Sequence, residues 1–231
     1  MLIAGSRMLV TGGGRRLGRA IVDDLTARGA VVAFTFHTDL KLSDKRGIRA
    51  DLSDPARAGT AVDEAAARLG GLDALIHAAS GGFEPVDPTD VTPELFDRAT
   101  SVTLRGGFFA MQAAQRAMGE PGGSIVAITD VAAFEQWPRF APHCAAKAGL
   151  AQLVRTLALA WAPRVRVNAV APGPVLLPDG ASAEANDRYA AETALGRLGE
   201  PTDVTAAVAF LLENEFTTGS QLVVDGGHSL R

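Results

Sequence analysis

Cysteine is almost absent from this chain. The one cysteine in 231 residues, Cys144, excludes an internal disulfide and any cysteine-rich zinc site, and no metal is expected. Tyrosine is as scarce, with Tyr189 alone, and lysine occurs only at Lys41, Lys45 and Lys147. No run of about 18 uncharged apolar residues occurs, so no membrane span is predicted. The opening MLIAGSRMLVTGGG has no charged leader region, no apolar stretch of signal-peptide length and no cleavage site. A cytoplasmic location is the expectation. Basic charge is not in excess: 22 Lys+Arg stand against 26 Asp+Glu, a net charge of −4. That balance argues against a general nucleic-acid binder, which should carry a basic stripe.

Glycine is plentiful, with 25 residues, against a usual share of about 7%. It follows no collagen period, so it points to turns and close backbone approach. Apolar residues make up 47% and charged residues 21%, which fits a folded globular chain. A chain of this length buries roughly 70–75% of its unfolded surface and needs no disulfide or metal to hold it.

Apolar runs of strand length alternate with stretches of helical spacing. Met8–Thr11, Val31–Phe36, Leu72–Ala78, Ser124–Thr129, Val165–Val170 and Gln221–Val224 read as buried strands. Ser53-Asp54-Pro55 and Thr92-Pro93 place a capping side chain ahead of proline in a first helical turn, and Glu200-Pro201 is a weaker start of the same kind. No linker, charge block or repeat divides the chain. The prediction is a single α/β domain over 1–231 with a Rossmann fold. Its sheet is doubly wound and parallel, of about seven strands, with helices on both faces.

Met8-Leu-Val-Thr-Gly-Gly-Gly-Arg-Arg-Leu-Gly18 joins the first strand to the first helix. Glycines there let backbone N–H groups approach a pyrophosphate, and the helix N-terminus favours its charge. An unliganded glycine-rich turn is the plainer alternative. The rest of the chain bears on the choice. Thr11-Gly12 through Gly18 resembles the TGxxxGxG loop of the short-chain dehydrogenase/reductase family. Asp51-Leu52 resembles its adenine-contacting acidic pair, and His77-Ala78-Ala79-Ser80 stands where NNAG is usual. Asn168-Ala-Val-Ala-Pro-Gly-Pro-Val175 resembles the nicotinamide-side NxVxPG segment, and Leu195–Pro201 and Val224-Asp-Gly-Gly227 match C-terminal landmarks. The resemblance covers essentially the whole chain. It implies cofactor contacts from Gly12, Arg15, Arg16, Leu17 and Gly18 in the loop. Further contacts are implied for His37, Asp51, Leu52, Ala78, Ala79 and Ser80, and for Lys147, Pro172, Gly173 and Val175.

A carboxylate ending the second strand would bind a ribose 2′-hydroxyl and repel a 2′-phosphate. This strand ends Phe36-His37, and no carboxylate follows until Asp39. Arg16 stands where the family usually has glycine, which resembles the TGxxxR variant of pteridine reductases, users of NADPH. Guanidinium groups at Arg15 and Arg16 suit a phosphate dianion, although both could be solvated surface charges. NADPH is therefore expected over NADH. Between His37 and Asp51 lie 13 residues, close to the minimum of about 10–12 for a parallel crossover. The helix usual in that crossover is predicted to be missing or vestigial. Lys41 and Lys45 lie in this loop, where they could reach a 2′-phosphate or simply be solvated.

The family's chemistry uses a Tyr as proton donor and a Lys four residues later. A Ser lies thirteen residues before the Tyr, and an Asn on the fourth helix anchors the Lys through water. Here His143-Cys-Ala-Ala-Lys147 takes the YxxxK place, Asp130 takes the Ser position and Thr103 the Asn position. Asp at that position also resembles pteridine reductases. A histidine can donate a proton at neutral pH, but imidazole is shorter than phenol. His143 could instead only fill the space. Tyr189 lies in the variable substrate segment, 174–194, and could supply the acid or serve as an apolar anchor. Cys144 reads as a small packing residue, Trp137 and Phe140 as lining the substrate mouth, and His228 as structural or surface.

Gly106–Phe109 and Ala145–Trp161 predict helices with broad apolar faces, which the resemblance assigns to subunit contacts in a homotetramer, or a dimer. The expected activity is an NADPH-dependent carbonyl or pterin-type reductase acting on a small molecule, with 3-oxoacyl thioesters as another substrate class. The alternative is a catalytically impaired homologue that binds NADP as a sensor or assembly protein.

Overall fold

The computed structural model describes residues 1–38, 44–177 and 180–231. Asp39, Lys41 and Asp179 lie outside the described residues. The strands are β1 (Arg7–Thr11), β2 (Val31–Phe36), β3 (Gly47–Arg49), β4 (Ala74–His77), β5 (Gly123–Ile128), β6 (Val165–Pro172) and β7 (Gln221–Val224). They form one seven-stranded sheet, ordered β3-β2-β1-β4-β5-β6-β7, with every neighbouring pair parallel. The helices are α1 (Arg16–Ala27), α2 (Pro55–Leu69), α3 (Pro93–Thr100), α4 (Gly107–Ala117), α5 (Ala141–Trp161), α6 (Ala183–Ala191) and α7 (Pro201–Glu213).

Side chains of a strand alternate between faces, and each face here has its own core. Met8 and Val10 of β1 pack with Ile21, Val22 and Leu25 of α1 and Val204, Val208 and Leu212 of α7. Leu9, between them in sequence, packs with Val62 of α2, Met111 of α4 and Leu150 of α5 on the other face. This is the doubly wound arrangement expected from the alternation of apolar runs. The strand with no apolar run, the three-residue β3, is short and escaped that reading. It is held by its pairing to β2.

The predicted helix starts are present. Asp54 accepts from the N–H of Ala56 and Thr92 from that of Leu95, while Asp203 accepts from the N–H of Glu200. No helix occurs between β2 and β3 among the described residues. Instead Asp44 accepts from Arg46 at 2.7 Å and from Arg19 of α1 at 3.1 Å. These bonds fasten the short crossover to α1. The Arg46 guanidinium holds the Asp44 carboxyl well below the usual carboxylate range.

Between α3 and α4 the helix widens into a π-helical turn, Ser101–Gly106. Such turns are rare and cluster at functional sites. This one carries Thr103. Among the described residues, no helix is long and apolar enough to cross a membrane.

Candidate active site

Ligands of open parallel sheets bind beyond the carboxyl ends of the strands, where the order reverses. Here the order reverses between the paired strands β1 and β4, and a cleft of about 1090 Å³ opens along the strand ends. Its walls include the glycine loop, the segment after β4, Asp130, His143, Lys147 and the Pro172–Val175 turn.

The loop after β1 needs its glycines for contact as well as turning. Gly12 takes φ 68°, and a Cβ there would meet the backbone of Ala79 at 2.8 Å. Close approach of the loop to the segment after β4 therefore excludes any side chain. Arg16 also takes a left-handed φ, 50°, without being glycine. Its guanidinium donates to the carbonyls of Leu176 and Leu177 at 2.8 and 3.0 Å. The arginine thus spans the loop and the segment after Val175. Arg15 is exposed and lines the cleft, with no partner among the described residues.

At one end the cleft is lined by Thr35 to Thr38 and by Asp51 and Leu52. His37 Nε2 lies 3.8 Å from Asp51 Oδ2. Hydrogen bonds from Ser53 hold the Asp51 carboxyl below its ordinary value. A dinucleotide fits this arrangement by three features: a glycine loop free of side chains at Gly12, the N-terminus of α1, and a continuous cleft from Asp51 to Lys147.

At the other end, α5 carries His143 and Lys147 on one face, four residues apart. Lys147 is buried and donates from Nζ to the Ile128 carbonyl at 3.0 Å. Burial lowers its pKa, while the charge of Asp130 opposes that shift. Asp130 accepts from the N–H of Ala132 through one oxygen and lies 3.4 Å from His143 Nε2 through the other. His143 is itself buried. Nδ1 of His143 makes no hydrogen bond among the described residues. His143, Asp130 and Lys147 therefore form one cluster at the cleft wall.

Thr103 is fully buried and does not line the cleft. Its hydroxyl accepts from the N–H of Gly81 at 2.8 Å and lies 3.3 Å from Ser80 Oγ. Tyr189 of α6 does line the cleft, with the Arg188 guanidinium 5.3 Å over its ring. Cys144 packs beside the Trp137 carbonyl. Asn168 brackets the turn into β7, donating to Thr217 O and accepting from the N–H of Ser220.

The sequence places His77 at the head of the segment standing where NNAG is usual and gives it no role of its own. Its ring is wholly buried between the phosphate loop and the π-helical turn. Nε2 lies 3.1 Å from the Thr103 carbonyl, and Nδ1 lies 2.8 Å from Thr11 Oγ1. A carbonyl only accepts, so the hydrogen sits on Nε2, and Nδ1 accepts from the Thr11 hydroxyl. Thr11 Oγ1 in turn accepts from the N–H of Ala79 at 3.3 Å. Gly107 makes room: a Cβ there would stand 2.6 Å from His77 Nε2. Burial pushes the His77 pKa down to about 4, and the charge of Lys147 adds to that. The available signal was position, a lone histidine ending a central strand at its ligand-facing end.

From the sequence, His228 reads as structural or surface. It lines the cleft, with Nδ1 3.3 Å from Glu135 Oε1 and Nε2 3.6 Å from Glu192 Oε2. Glu135 accepts from the Trp137 indole N–H at 2.8 Å through its other oxygen.

Comparison with known proteins agrees with this geometry. Residues 14–229 match a family model described as enoyl-(acyl carrier protein) reductase. A 2-(S)-hydroxypropyl-CoM dehydrogenase of Xanthobacter autotrophicus is 35% identical over 94% of this chain and 94% of its own. A 3beta-hydroxysteroid dehydrogenase of Eggerthella lenta is 32% identical over 99% and 95%. The crystal structure of a short chain dehydrogenase from Burkholderia cenocepacia in complex with NADP superposes with a TM-score of 0.89. It shares 33% identity and covers 99% of this chain and 100% of that one. Glycine loop, sheet order and relatives together place the chain in the short-chain dehydrogenase/reductase family of nicotinamide-dependent oxidoreductases.

Proposed function

We propose that this protein is an NADPH-dependent reductase of small carbonyl or pterin-type substrates, with His143 as the proton donor. The observation that carries the reading is the cluster of the buried His143 and Lys147 with the half-buried Asp130 in the wall of the dinucleotide cleft. A bound nicotinamide dinucleotide supplies the hydride. The protein's own part is to hold the substrate oxygen at His143 and give it a proton, a step worth about 10²–10⁴-fold when well placed. Asp130 orients the imidazole from Nε2 and offsets the positive charge left there before the proton is handed on. Lys147, fixed on the Ile128 carbonyl, keeps a cation beside the reacting centre.

The preference for NADPH rests on two features. Phe36, His37 and Thr38 present no carboxylate to repel a 2′-phosphate, and Arg15 faces the cleft as an exposed cation. The solved relative from Burkholderia cenocepacia was crystallised with NADP. We also assign the exposed apolar side chains Leu159 of α5 and Phe210 of α7 to contacts between copies of the chain.

The test is NADPH consumption by the purified protein with dihydropterins, quinones, 3-oxoacyl thioesters and activated ketones, with NADH as control. Turnover that His143→Phe abolishes establishes the reading. Tight NADPH binding with no turnover on any of them favours the sensor or assembly role that the loss of tyrosine at this position also suggests.

A further inference from the structure

We propose that the substrate end of the cleft is a flat slot for a carbonyl compound borne on a planar, fused-ring system. The ring would stack face-on against Trp137, whose plane lies within 3° of the His143 ring. It would meet Phe83, whose plane stands at 73° to the His143 ring, edge-on, with its carbonyl oxygen at His143. This assignment rests on the reductase reading above.

Rings converge on His143 from the loop after β4 and from the segment leading into α5. Phe83 stacks on Phe140 with centroids 4.4 Å apart and meets His143 edge-on at 4.8 Å. The Trp137 ring lies parallel to His143 within 3°, with centroids 6.4 Å apart. All four line the cleft. Phe83 remains 50% exposed even though one face is stacked. An aromatic side chain left open inside a cleft is apolar surface that an apolar ligand would remove from water.

Trp137 is also held from behind. Its N–H is consumed by Glu135, and Glu135 is in turn held by His228. The indole therefore offers a ligand its face and no donor. Phe83 and Phe140 offer no polar atom either. A sugar or other polyol would leave its hydroxyls unpaired against this wall, whereas a π-face would be matched. Fixing the ring in advance lets the match cost little ordering on binding. Two ring contacts of ordinary strength amount to roughly tenfold in affinity over a saturated ligand of the same skeleton.

The chemistry balances in this slot. The carbonyl π bond breaks, and its carbon gains a hydrogen with two electrons from the reduced nicotinamide. The oxygen takes the proton of His143, which is then replaced from solvent.

The experiment is calorimetric titration of the NADP-saturated protein with 2-naphthol and with trans-2-decalol. These share a ten-carbon skeleton and a hydroxyl but differ in planarity. Expected is at least tenfold tighter binding of 2-naphthol, falling to within about threefold in Trp137→Ala, with decalol affinity unchanged. A Trp161→Phe protein, in which Trp137 is the only tryptophan, should also lose its fluorescence on adding 2-naphthol. Equal binding of the two alcohols overturns the proposal, as does a preference that survives both Trp137→Ala and Phe83→Leu. The two readings fail separately. Reduction of butane-2,3-dione without any ring preference sinks the slot and leaves the reductase standing. A ring preference with no NADPH turnover on any carbonyl compound sinks the reductase and leaves the slot.

Discussion

His77 Nε2 lies 3.1 Å from the carbonyl of Thr103, and the same ring accepts the Thr11 hydroxyl at Nδ1. One imidazole thus ties the phosphate loop, the end of β4 and the π-helical turn together. His77→Phe keeps an aromatic ring, slightly larger than imidazole, and strands two buried polar groups, each costing about 1–3 kcal/mol. A loss of about 2–5 kcal/mol in denaturant unfolding is expected for it. His77→Gln can both donate and accept, so it should keep most of that stability. Equal losses in the two variants would show that the hydrogen bonds contribute little.

The same residue sets an acid limit. Its pKa falls from the ordinary 6.5 to about 4 because burial penalises the charged ring. The unfolded chain therefore binds the proton more readily than the folded one. The resulting stability is fully present above pH 6.5 and drains away as pH falls through about 4. The amount is on the order of 3 kcal/mol. Unfolding free energy measured from pH 7 down to pH 4 should fall by more in the wild type than in His77→Gln. Parallel curves would remove His77 as the cause.

Asp130 acts on both of its neighbours. Its carboxylate lies 3.4 Å from His143 Nε2, and its charge opposes the burial that lowers the Lys147 pKa. Asp130→Asn should therefore slow turnover and also let the Lys147 pKa fall further. The Lys147 amine, followed directly by NMR, should titrate at lower pH in the variant than in the wild type. A slower enzyme with an unmoved Lys147 titration would mean that Lys147 does not feel Asp130.

How far the fold could be read from the sequence follows from where its signals are local. Met8, Leu9 and Val10 alternate between two cores, and Asp54 and Thr92 cap the helices they precede, so strands and starts stood out. The three-residue β3 did not, because its place depends on pairing with β2 rather than on its own composition. The site divides in the same way. Gly12, Lys147 and Asp130 hold positions fixed by spacing along the chain. His77, Glu135 and Glu192 acquire meaning only when distant segments meet: His77 through Thr103, 26 residues on, and Glu135 through His228, 93 residues on.

Arg15 faces the cleft without a partner among the described residues. If it recognises a 2′-phosphate, Arg15→Gln should cost roughly tenfold to a hundredfold in the ratio of NADPH to NADH efficiency, the worth of one charge-assisted bond. Dissociation constants for both cofactors, measured by titration, check this. A parallel loss for both would place Arg15 on the pyrophosphate instead.

Arg16 presents two opposed effects at one position. Its φ of 50° costs a residue with a Cβ about 1 kcal/mol or more. Its guanidinium donates to Leu176 and Leu177 across the cleft. Arg16→Gly relieves the backbone and cuts the tether. Global stability should therefore change by less than about 1 kcal/mol. Amide exchange at Leu176 and Leu177 should nonetheless quicken, and the substrate KM should rise with little change in kcat, because the tether positions the segment without entering the proton transfer. A fall in kcat with an unchanged KM would instead place the guanidinium at the reacting atoms.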